Sequence, residues 1–180
     1  MIDGIISFDT LILHVLFQVR TMLGGDIVAL LTELGGGPIV IIVTAFAMFA
    51  LYRRGHLNHI AGLAISLGGS MAAVTALKLV IDRARPPESF RAVVETGPSF
   101  PSRHAVAAMA LYGFLAYLVF RFVSPEQYRR VWIMLLAILI LIVGFSRLYL
   151  GVHYFSDVVA GYLVGALFVW IGIIVSEKLR

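Results

Sequence analysis

VWIMLLAILILIVGFSRLYLGVHYFSDVVAGYLVGALFVWIGIIV, residues 131–175, decides the fold. It reads as two apolar runs, 131–145 and 154–175, joined by a short polar connection that carries Ser146, Arg147 and His153. Asp157 is the only charge in the second run. A bilayer core takes about 20 predominantly apolar residues in helical form, so each run is a spanning helix or nearly one, and the connection marks a membrane edge. Working backwards, 104–122, 59–81 and 37–52 read the same way, the last short but free of charge. Five runs predict an all-α, polytopic transmembrane helix bundle. Gly62, Gly68, Gly69 and Ser70 supply small side chains for close helix contact.

Composition agrees. Of 180 residues, 61% are hydrophobic and 13% charged, with mean hydropathy +0.98. Soluble domains carry about 25% charged residues, so this chain has little with which to face water. It contains no cysteine, which excludes disulfides and thiolate metal sites. No cleavable signal is expected, because the first apolar stretch follows no basic residue and carries Asp9 and His14. Residues 1–36 mix apolar positions with Asp3, Asp9, His14, Arg20, Asp26 and Glu33, and glycines at 24–25 and 35–37 interrupt them. Amphipathic interfacial helices are expected there, ahead of a core over 37–177; a sixth span over about 5–19 is the alternative.

Chain parity puts the polar segments on one side of the membrane. The run 59–81 ends, and the run 104–122 begins, at the proline-rich connection 82–101. The chain then crosses away and back, so Ser146, Arg147 and His153 return to the same face. That face carries Lys78, Arg83, Arg85, Arg91, Arg103 and Arg147, with Arg20 if the N-terminal segment lies there; the other carries Arg53, Arg54, Arg121, Arg129, Arg130, Lys178 and Arg180. The totals are level. Setting aside the cations explained by chemistry below (Lys78, Arg85, Arg103 and Arg147) leaves three against seven. Positive residues favour the cytoplasm, so the polar face is expected to look outward from the cell membrane.

Three strings meet on that face: Lys78 with Arg85-Pro86, Pro101-Ser102-Arg103-His104, and Ser146-Arg147 with His153 and Asp157. His153 and Asp157 are four apart and share a helix face. A carboxylate on one imidazole nitrogen fixes the tautomer and frees the other as nucleophile or base. The bland alternative is a polar pair that merely hydrogen-bonds, but an ionisable group inside an apolar run is functional by default. Arg147 is either a snorkelling anchor or a phosphate ligand, and guanidinium matches phosphate oxygens bidentately. Ser102 is either a plain helix cap or part of a cradle of unpaired backbone N–H groups, with His104 poised as an acid. Lys78, Arg83 and Arg85 form either a lipid-headgroup patch or phosphate clamps.

The series K-x6-R-P, P-S-x-H and S-R-x5-H-x3-D resembles the signature of the type 2 phosphatidic acid phosphatase superfamily, over roughly 37–177. The resemblance implies that His153 is a nucleophile forming a phosphohistidine and that Asp157 orients it. It further implies that His104 protonates the leaving oxygen and that Lys78, Arg85, Ser102 and Arg147 bind phosphate without a metal. The family commonly has Gly where this chain has Arg103. Arg103 keeps the backbone N–H, and its side chain points away or adds a further phosphate-binding cation. A lipid phosphate held by the surrounding membrane lipids is the implied substrate: phosphatidate, phosphatidylglycerophosphate or polyprenyl diphosphate. No cofactor, metal or nucleic-acid partner is expected. Rival readings are a lipid phosphotransferase on the same residues, a vanadate-dependent peroxidase, and a proton-coupled transporter. The last is disfavoured because the polar groups pool at one face and the run 131–145 is wholly apolar.

Overall fold

The computed structural model describes residues 2–179; Met1 and Arg180, the latter counted above among the cations of the far face, lie outside the described residues. The described chain is helical: α1 (Ile2–Val19), α2 (Met22–Thr32), α3 (Gly37–Arg53), α4 (Leu57–Ala64), α5 (Ser70–Ile81), α6 (Arg103–Phe122), α7 (Glu126–Tyr149) and α8 (Phe155–Lys178). Five stretches are long and apolar enough to cross a membrane: Gly24–Arg53, Leu57–Ile81, Arg103–Phe122, Glu126–Tyr149 and Phe155–Lys178. The membrane bundle expected from the sequence is the observed fold. Large apolar side chains such as Ile41, Phe46, Leu141, Leu163 and Trp170 face outward, each at least 60% exposed. Such a surface is suited to lipid.

Helix α6 is the axis, packed against α8 and α7. Its inner face buries Ala105, Val106, Ala108, Ala110, Leu111 and Phe114. Small residues set the approach, as in other membrane bundles. A Cβ on Gly161 would lie 2.9 Å from the Ser102 carbonyl oxygen, and one on Gly62 would lie 2.5 Å from that of Gly172. Ser66 donates to the Ala110 carbonyl at 2.9 Å and ties the second span to α6. The run 59–81 is not one uniform helix, because a π-helical turn over Ile65–Gly69 separates α4 from α5. Gly69 gives way there to the Phe168 ring, while Gly68 faces open space.

The N-terminal region differs from its expected form in two ways. A 3-10 turn, Glu33–Gly35, rather than a loop joins α2 to α3, so the apolar stretch of the first span reaches back to Gly24. The glycines that read as a breaker are a packing contact: Gly35 is buried, and a Cβ there would lie 2.5 Å from Val143 and 3.2 Å from the His104 carbonyl oxygen. Helix α1 falls short of the five candidate spans. It turns Ile5, Ile6, Phe8 and Leu11 outward and buries Asp9, which is 1% exposed, against the bundle.

Candidate active site

Two helix starts and one loop build the site. α6 begins at Arg103 and α8 at Phe155, and the Ser102 N–H donates to the Asp157 carbonyl at 3.0 Å, so the two N-termini are stitched side by side. The loop 82–102 folds over them. Ser99 fastens it, its N–H donating to the Arg83 carbonyl at 2.8 Å and its hydroxyl to that of Ala84 at 3.1 Å. A cavity of about 320 Å³ results, lined by Lys78, Arg85, Glu95, Arg103, His104, His153 and the backbone turn Thr96–Pro98. Residues from all three sequence strings therefore share one hollow at one end of the bundle.

His153 sits in the turn before α8, 3% exposed. Its Nδ1 lies 3.5 Å from Asp157 Oδ2, close but longer than a hydrogen bond. Such pairs commonly tighten only around a bound substrate. Asp157 is fully buried and well held: Oδ2 accepts from the Tyr154 N–H at 2.9 Å, completing the cap of α8, and Oδ1 accepts from Arg83 Nη1 at 2.7 Å. On the other side of the ring, Arg85 Nη1 lies 3.3 Å from His153 Nε2. An arginine only donates, which assigns the lone pair to Nε2, facing the cavity, and the proton to Nδ1, facing Asp157. Burial pushes the His153 imidazole down to about 4, helped by the Arg147 and Arg85 charges against the pull of Asp157. It is neutral at pH 7.

The cations are anchored rather than free. Lys78, 8% exposed, donates to the Pro98 carbonyl. Arg85 donates to the carbonyls of Gly97 at 2.9 Å, Val152 at 2.9 Å and Thr96 at 3.2 Å. Burial lowers its pKa from the usual guanidinium value, with Arg147 and Arg91 adding repulsion that Glu95 offsets. Arg147, 1% exposed, donates to Thr32 Oγ1 at 3.0 Å and to Glu95, and its Nε has no partner. Arg103 is exposed at the start of α6, with its side chain on the cavity wall. Ser102 stands at the N-cap position, yet its hydroxyl makes no capping bond and is buried without a partner. Among the described residues no cluster of three His, Asp or Glu suited to a metal ion occurs.

Two participants, Glu95 and Asp9, escaped the sequence reading, and a third, Arg83, was read there only as a headgroup patch or phosphate clamp, whereas it pairs with two acids. Glu95 sits between Arg85 and Arg147; nothing marks it in the sequence except an acid placed in a cation-rich loop. Arg83 bridges Asp157 and Asp9, and its guanidinium stacks 4.3 Å over the Tyr154 ring. Asp9 accepts from the Ser156 N–H at 2.9 Å and from its hydroxyl, and thereby locks α1 to the start of α8. An acid midway along an apolar helix was the available signal.

Residues 59–180 match the PAP2 superfamily. Phosphatidylglycerophosphatase B of Bacillus subtilis (strain 168) is 27% identical over 184 residues, covering 99% of this chain and 88% of that protein. Lipid phosphate phosphatase delta of Arabidopsis thaliana is 33% identical over 84 residues, 44% of this chain and 20% of that one. Among solved structures, the transmembrane PAP2 type phosphatidylglycerolphosphate phosphatase of Bacillus subtilis superposes with a TM-score of 0.83 at 26% identity, covering 98% of this chain and 88% of that one. Aquifex aeolicus LpxE shares the fold with a TM-score of 0.70 at 20% identity, covering 90% and 92%.

Proposed function

Because this chain belongs to the PAP2 superfamily, we propose that it is a membrane lipid phosphatase working through a phosphohistidine, with no metal. The observation that carries the proposal is His153 Nε2, set beside Arg85 Nη1 and facing a cavity walled by Lys78, Arg85, Arg103 and His104.

Phosphoester hydrolysis needs the equatorial oxygens neutralised, an in-line nucleophile and a proton for the leaving oxygen. In this reading Lys78, Arg85, Arg147, the Ser102 hydroxyl and the first N–H groups of α6 hold the phosphate. The Nε2 lone pair of His153 attacks phosphorus; as the P–O bond to the lipid breaks, His104 gives its proton to the departing oxygen. Asp157 steadies the positive charge that grows on the His153 ring. Water then attacks the phosphohistidine, with His104 taking the proton, and inorganic phosphate leaves. Arg103 supplies the backbone N–H at the usual glycine position, and its side chain tunes the pocket.

A site at one end of a membrane bundle suits a substrate whose tails stay in the bilayer. The names of the relatives support lipid phosphates, and phosphatidylglycerophosphate is the first to test, beside phosphatidate and polyprenyl diphosphate. Among the cations outside the three strings, more lie at the opposite end, which supports an outward-facing site in the cell membrane. The test is phosphate release from these lipids in detergent, with and without chelator. Turnover is expected to persist in chelator and to vanish in His153→Ala. Activity retained within about tenfold in that variant, or a trapped phosphoenzyme surviving in it, sinks the assignment.

A further inference from the structure

Glu95 is an acid for which phosphate binding has no obvious use. Its carboxylate nevertheless reaches both buried arginines of the site: Oε1 accepts from Arg147 in a very close contact, and Oε2 lies 3.5 Å from Arg85 Nη2. The backbone beside it is tied to the same cations, through Thr96 and Gly97 to Arg85 and through Pro98 to Lys78. Residues 95–98 are thus drawn over the cation cluster as one unit. Burial alone would raise the Glu95 carboxyl, but the Arg147 and Arg85 charges outweigh it and keep the group ionised.

We infer that Glu95 is a charge gate: it occupies the anion position between Arg85 and Arg147, yields to a terminal phosphate carrying two charges, and turns away phosphodiesters carrying one. The inference rests on the phosphatase reading and adds a rule of selection to it. A diester headgroup brings the same single charge as Glu95. Exchanging one for the other gains no attraction and gives up the contacts that hold the loop. A phosphomonoester brings a second charge, which Lys78, on the same cavity wall, is placed to meet. The discrimination matters because diester phospholipids surround the protein at the depth of the site and outnumber any monoester. It also favours release wherever dephosphorylation leaves a diester lipid, since that product has lost the charge that displaced the gate.

The test compares the full chain with Glu95→Gln and Glu95→Ala in mixed detergent micelles, with phosphatidate as monoester substrate and phosphatidylglycerol as diester competitor. Tungstate, an inorganic dianion, is titrated in parallel by thermal shift, which needs no turnover. Both variants are expected to show a KM for phosphatidate and a tungstate Kd lower by about tenfold, the low end for one charge-assisted contact. Phosphatidylglycerol, inert toward the unaltered chain, becomes a competitive inhibitor of both. A KM and a tungstate Kd that hold or rise in both variants overturn the gate and make Glu95 a prop for Arg147. If the unaltered chain releases phosphate from no lipid phosphate, the phosphatase reading fails instead, and the tungstate titration still decides the gate.

Discussion

Ser102→Ala separates two roles that sequence alone leaves entangled. A serine ahead of a helix is ordinarily a cap, and replacing a capping serine by alanine costs about 1 kcal/mol. Here the Ser102 hydroxyl makes no bond to the α6 amides and is fully buried without a partner. Its removal takes nothing from the folded bundle and relieves a desolvated polar group, so stability should hold or rise by up to about 1 kcal/mol. Turnover should behave oppositely. A hydroxyl donating to a phosphate oxygen is worth about 1.5–3 kcal/mol, so losing it lowers kcat/KM roughly tenfold to a hundredfold. Thermal unfolding in detergent and phosphate release from phosphatidate, measured on one preparation, give both quantities. A drop of several degrees in Tm with kcat/KM intact would refute the reasoning and return Ser102 to plain capping.

Asp9→Asn keeps the shape but removes the charge facing Arg83, which is 26% exposed. Allowing for that exposure, about 1–2 kcal/mol of stability is lost, and kcat falls several-fold with KM unmoved as Arg83 loosens its hold on Asp157; a changed KM with normal kcat contradicts this. His153 titrates near 4 when folded, against 6.5 when free, so the unfolded chain binds more protons between those values. Stability therefore falls as pH drops from 6.5 to 4, by up to about 3 kcal/mol from this residue, and a pH–Tm curve for His153→Asn that is no flatter than that of the parent disproves the link. Arg103→Gly should keep or raise activity, because its N–H and not its side chain fills the glycine role; a loss beyond about tenfold makes Arg103 a direct phosphate ligand. Cysteines placed singly at the exposed Ser89 and Gln127 should react oppositely with an impermeant thiol reagent outside intact cells, Ser89 labelled and Gln127 protected; the reverse pattern turns the site toward the cytoplasm.

The parts of the fold that could be read early are those written in apolar length. The runs at 59–81, 104–122 and 131–145 fall within candidate spans and 154–175 overhangs its span by one residue, and parity needs only their number. The three strings were legible because each keeps its spacing within a few residues of a helix end. What stayed hidden depends on contacts between distant segments. Asp9 and Arg83 are 74 positions apart, and Arg147 finds Thr32 across 115. Gly35 looked like punctuation because nothing in the sequence announces that Val143 and His104 press against it. Glu95 sits in an irregular loop with no period to reveal where its side chain points.

The polar atoms left without partners make a separate argument for where chemistry resides. Buried donors and acceptors are nearly always paired, because each orphan costs about 1–3 kcal/mol. Here Ser102 Oγ, Arg147 Nε and His153 Nδ1 are all buried and unpaired, and they belong to two of the three strings whose residues share one hollow. The acids beside them are engaged: Asp157 by Tyr154 and Arg83, Glu95 by Arg85 and Arg147, Asp9 by Arg83 and Ser156. Negative charge is thus spread among the cations closely enough to hold them together, while donors remain for one more anion. A bundle selected for stability alone would have paired or removed these atoms. Their persistence at the stitched N-termini of α6 and α8 fits a site shaped for a tetrahedral oxyanion more closely than a surface patch for headgroups, whose cations would lie open to water.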